Sequence, residues 1–151
     1  MKLAEALLLR AEYKTKIENL QSRILANLKV QENDKPLEDP QAMISESFEL
    51  SEKLCALIKR INACNNTAKL STGQTLSEAI VERDMLMKKR NILSSVASKA
   101  LEKNYRIMRT ELKMNVVVSI SEIQKHIDIL SKEFRELDTQ IQALNWTTEL
   151  Q

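Results

Sequence analysis

Near the C-terminus, Ile120, Ile123, Ile127, Leu130, Phe134, Leu137, Ile141 and Leu144 follow one another at alternating intervals of three and four residues. A spacing that averages 3.5 draws a narrow apolar stripe along one face of a helix, and such a stripe leaves water only by packing against another helix. The seam therefore commits this part of the chain to helix-on-helix packing. Only one glycine, two prolines and 3% aromatic residues occur in the 151-residue chain, so the core must be aliphatic and the backbone has few sharp turns. A strand-rich sandwich is excluded, and so are the glycine-rich loops that cradle nucleotide phosphates.

Three further helices can be drawn. The first, over 2–28, places Leu3, Ala6, Leu7, Tyr13, Ile17, Leu20, Ile24 and Leu28 on one face. It stops ahead of Asn33, Asp34, Lys35 and Pro36, and Asp39-Pro40 supplies a cap and a first-turn proline for the second, whose face is Met43, Ile44, Leu50, Leu54, Leu57, Ile58 and Ile61. Asn62, Asn65 and Asn66 are read as its end, and Gly73 marks the next connection. Thr75 with Glu78 forms a capping box for a third helix to about Leu101, and Ser119 with Glu122 forms another for the seam helix, which is expected to run to Asn145. Between them, 103–118 lacks a helical period and ends in Val116, Val117 and Val118, a pattern compatible with a short strand or hairpin. The expectation is a single, mainly α domain over 1–151: an elongated antiparallel bundle of four long helices with coiled-coil-like packing. Two copies pairing along an exposed seam, a dimer first, would thicken so thin a core; a closed monomer satisfies the stripes as well.

Cys55 and Cys64 lie nine residues apart on one helix, on opposite sides of its axis, and cannot pair with each other. Reduced thiols and the absence of a signal-like start point to a cytoplasmic protein. No apolar run approaches the ~20 residues of a membrane span.

The residues that could carry chemistry are mostly arginines. Arg83 and Arg90 interrupt the third helix's stripe at sevenfold spacing from Leu76, and Arg10 raises the same question on the first helix. A stripe arginine needs a partner: either it lines a pocket for phosphate or carboxylate, or it pairs with Glu133 or Asp138 beside the seam and fixes helix register, which is the simpler reading. His126 is the only histidine and has no second ligand in metal spacing, so it is read as an interface-rim residue; no cofactor is implied. The interval from Arg83 to Lys113 carries nine basic against three acidic residues. Lys88, Lys89, Arg106, Arg109 and Lys113, with Tyr105 as a stacking ring, could contact a nucleic-acid backbone. Docking of this segment on the acidic C-terminal helix is favoured instead, because a net charge of +2 gives little long-range attraction. Trp146 is expected to anchor the tail.

The strings MKLAEALLLRAEYKTKIENL, EDPQ at Glu38 to Gln41, ERD at Glu82 to Asp84 and RELDTQIQALNWTTEL from Arg135 to Leu150 together resemble a small family of bacterial helical proteins sometimes labelled septicolysin. The resemblance spans the chain and implies a mostly helical protein, with no catalytic or binding residues to carry over. A membrane-active lysin, the class that label names, ranks last, since no long apolar or alternating segment is present. The reading that fits best is a non-enzymatic helical module that self-associates, with a nucleic-acid-binding module as the alternative.

Overall fold

The computed structural model describes residues 1–102 and 114–150. The fold is mainly α, a helical bundle of four long helices: α1 (Leu3–Ala26), α2 (Pro40–Thr67), α3 (Leu76–Leu101) and α4 (Ile120–Thr147). The chain divides into two compact units, Met1–Leu76 with Gln142–Gln151, and Ser77–Ile141.

Capping chemistry sets the helix boundaries much as expected. Asp39 accepts a hydrogen bond from the Gln41 amide at 2.9 Å, ahead of Pro40 in the first turn of α2. Ser119 Oγ accepts from the Glu122 amide at 3.4 Å to open α4. Between α1 and α2, Asn27 donates to the Arg23 carbonyl at 2.9 Å and accepts from the Glu38 amide at 3.2 Å, while Arg23 and Glu38 form an ion pair. That pairing, through a hydrogen bond from the guanidinium, holds the Glu38 carboxyl below its ordinary pKa. Asn33 turns the loop with φ +67°, a conformation asparagine tolerates better than most residues.

The ends of α2 and α4 fall one or two residues past the asparagines, at Thr67 and Thr147. Thr67 Oγ donates to the carbonyls of Ala63 and Cys64, both at 3.1 Å, and Thr147 Oγ donates to those of Ala143 and Leu144 at 3.0 and 3.2 Å. Trp146 is 57% exposed and does not anchor the tail; Asn145 beside it is buried. The strand expected within 103–118 lies mostly outside the described residues, and its described part, 114–118, forms no strand.

The threonine ends belong to a larger correspondence. Beyond Thr67 the chain runs Ala68-Lys69-Leu70, turns at Gly73 with φ +88°, and returns as Gln74-Thr75-Leu76. The Leu70 amide donates to the Gln74 carbonyl at 2.9 Å, and the Leu76 amide to the Ala68 carbonyl at 2.8 Å. Beyond Thr147 the chain runs Thr148-Glu149-Leu150 and pairs with Met1-Lys2-Leu3 in the same way. Here the Leu150 amide donates to the Met1 carbonyl and the Leu3 amide to the Thr148 carbonyl, both at 2.9 Å. Each clasp is a single antiparallel bridge, Lys69 with Thr75 and Lys2 with Glu149. The second is tied further by Lys2 Nζ and the terminal amine, 2.7 and 3.2 Å from Glu149. Hydrogen bonds from Lys2 and from that amine depress the Glu149 carboxyl.

Matching the clasps matches the helices. Leu3, Glu5, Ala6, Arg10, Lys16 and Leu20 of α1 recur as Leu76, Glu78, Ala79, Arg83, Lys89 and Leu93 of α3. Leu50, Leu57, Ile61, Asn65, Thr67 and Leu70 recur as Leu130, Leu137, Ile141, Asn145, Thr147 and Leu150. The chain is one helical hairpin written twice, α1–α2 and α3–α4. Burial follows the repeat: the four largest fully buried side chains are Leu3, Leu76, Ile61 and Ile141, two equivalent pairs. Leu3 and Leu76 lie at the starts of α1 and α3, and Ile61 and Ile141 lie six residues before the ends of α2 and α4. Along the rest of α4 the seam residues are only half-buried.

Candidate functional site

The arginines of the α3 stripe occupy the same face for different ends. Arg83 reaches α4, where its Nη1 donates to Asp138 at 3.0 Å, while its Nη2 donates to Asp84 on its own helix at 2.8 Å. Partial burial works against the charge, but the hydrogen bonds to Asp84 and then Asp138 outweigh it and raise the guanidinium pKa. The register reading of Arg83 thus has its partner in Asp138. Glu133, the other carboxylate named for that role, is exposed on α4.

Arg83 precedes the end of α3 by as many residues as Asp138 follows the start of α4, the signature of an antiparallel pair. One heptad further along α3 sits Arg90, and one heptad back along α4 from Asp138 sits Ser131 in place of a carboxylate. Arg90 is half-buried, with its Nη1 3.5 Å from the Met87 sulfur and its Nε buried without a hydrogen-bond partner among the described residues. A buried, unsatisfied guanidinium nitrogen costs free energy. In the first hairpin the equivalent position is Ile17. Arg90→Ile should therefore stabilise the fold by about 1 kcal/mol in urea unfolding; a loss of stability would show that the guanidinium is held by something it needs.

Arg10, the repeat counterpart of Arg83, is half-buried on α1. Of the basic residues considered for nucleic acid, Lys88 and Lys89 are exposed on α3, whereas Tyr105, Arg106, Arg109 and Lys113 lie outside the described residues. Arg83 and Arg90 face inward and do not extend the Lys88–Lys89 surface. His126 is exposed, and among the described residues no three histidine, cysteine or acidic side chains group as metal ligands. No described helix is long and apolar enough to cross a membrane.

Residues 10–150 match a family described only as of unknown function, DUF6847. The chain belongs to that family. A solved structure, the crystal structure of a functionally unknown conserved protein from Corynebacterium diphtheriae, is similar over 100% of this chain and 99% of that one, with 40% identity and a TM-score of 0.93. No curated protein matches. The family match starts at Arg10, the stripe arginine of the first hairpin, and takes in its counterpart Arg83.

The repeat could have been found by aligning KLAEAL with TLSEAI and INACNNTAKL with IQALNWTTEL. The identities fall mainly at buried positions and at the clasps, so a search for isolated motifs passes over them.

Proposed function

We propose that this protein is a helical interaction module that acts by self-association, a homodimer first, and not by catalysis. The observation that carries this reading is the apolar surface left on long helices. Of the eight seam residues of α4 only Ile141 is fully buried. On α3, Val81, Met85, Ile92 and Val96 stay exposed. Apolar surface of this kind is a cost to a lone chain and a gain to one that finds a partner. A non-enzymatic role fits an Arg83 whose guanidinium is taken up by Asp138 and Asp84. Light scattering coupled to size exclusion at micromolar concentration should give twice the 17.3 kDa chain mass. A monomer across that range overturns the reading.

A further inference from the structure

The internal repeat provides its own comparison for every surface position, because each α3 residue has an α1 counterpart in the same local fold. On the inward stripe the two helices share Leu3 and Leu76, Ala6 and Ala79, and Leu20 and Leu93, with Arg90 against Ile17 the polar exception. On the opposite face they do not. Val81, Met85, Ile92 and Val96 of α3 are 61, 45, 56 and 37% exposed. Their α1 counterparts are Leu8, Glu12, Asn19 and Arg23. A helix in this fold can thus carry polar residues at three of the four positions, so the hairpin does not require the apolar stripe of α3. The stripe makes α3 apolar on two opposite sides, and a helix apolar on both sides has both covered.

Resting on the self-association reading, we infer that the outward face of α3 is the interface and that its occupant is the α3 of a second copy, laid antiparallel. The stripe is a palindrome in its spacing: four residues from Val81 to Met85, seven to Ile92 and four to Val96. A twofold axis passing between Lys88 and Lys89 sets Val81 against the second copy's Val96 and Met85 against its Ile92, which is the self-complementarity a closed dimer needs. The same operation brings Lys99, which pairs with Glu102 on its own chain, near the second copy's Glu78, so that opposite charges lie at both ends of the contact. Lys88 and Lys89 straddle the axis on the two rims, their aliphatic stems along the stripe and their ammonium groups toward solvent. Lys88, Ile92 and Val96 also line an open depression along one flank of the stripe, with Asp84, Met87, Asn91 and Ser95. Val81 to Val96 spans about 22 Å of helix, the length of contact that two antiparallel copies of α3 would share.

Two substitutions on this face, Met85→Glu with Ile92→Glu, replace exposed side chains and leave the inward stripe intact. The double variant should keep the helical circular dichroism of the parent while its dimer weakens roughly a hundredfold or more. Leu8→Glu, at the α1 counterpart of Val81, should leave the dimer unchanged. Lys88→Cys in a Cys55→Ser background should cross-link to itself across the axis on mild oxidation, a readout that needs no disruption of the stripe. A wild-type dimer that survives the double glutamate variant and gives no Lys88→Cys cross-link would overturn this interface while leaving self-association standing. A monomeric wild type would overturn both.

Discussion

Leu76→Ala should cost about 3–4 kcal/mol of stability, the usual loss when a fully buried leucine is cut to alanine, and lower the melting temperature by roughly 10 °C for a chain of this size. Leu76 has no exposed surface, opens α3, and donates its amide to Ala68 across the turn-closed clasp. Truncation leaves a cavity where three features converge: the start of one helix, the end of another and the bridge between them. Leu3→Ala, at the equivalent position of the clasp that joins the chain ends, should cost a similar amount. Thermal unfolding of both variants followed at 222 nm checks the pair. If either change falls below about 1 kcal/mol, the site relaxes far more freely than its burial implies.

The second large effect runs the other way. Leu70 and Gln74 are joined by Ser71, Thr72 and Gly73, while their counterparts Leu150 and Met1 hold the same hydrogen-bond pattern. Closing the backbone from Leu150 to Met1 through Gln151 and an added Thr-Gly copies the turn of the other clasp. Loop closure removes unfolded-state entropy worth up to roughly 5 kcal/mol for a ring longer than 100 residues, so a gain of about 2–4 kcal/mol is expected in the cyclised protein. Part of the gain is offset, because the terminal amine that pairs with Glu149 becomes an amide, although Lys2 keeps its own 2.7 Å contact. Matched melts of cyclised and linear chains of one sequence measure the difference. An unchanged or lower melting temperature would mean that the two clasps are alike in pattern but not in the turn they accept.

Helix type and most boundaries were legible in the sequence because they depend on local chemistry: Asp39 before Pro40, Ser119 before Glu122, and a period of 3.5 in the seam. The last residue or two of α2 and α4 were harder to see, because Thr67 and Thr147 turn their hydroxyls back onto carbonyls of the preceding turn just as Thr139 does inside α4, so the residue type does not mark an end. The choice between Glu133 and Asp138 as partner of Arg83 required the α3–α4 register, which a stripe does not encode by itself. Trp146 misled because size and apolarity suggest burial, whereas its place on α4 turns it outward and leaves Asn145 inside. Arg90 was visible as an interruption of the stripe; its lack of a carboxylate partner among the described residues emerged only with Ser131 at the facing position.

The buried thiol near the turn-closed clasp has a use of its own. Cys64 lies in the last turn of α2, where loss of hydration raises its pKa and keeps it protonated, while Cys55 on the same helix is exposed. Alkylating reagents should take Cys55 at once and reach Cys64 only when the end of the hairpin opens. The rate at which the second thiol disappears from a mass spectrum therefore records how often this end of the hairpin opens under native conditions, with no engineered label.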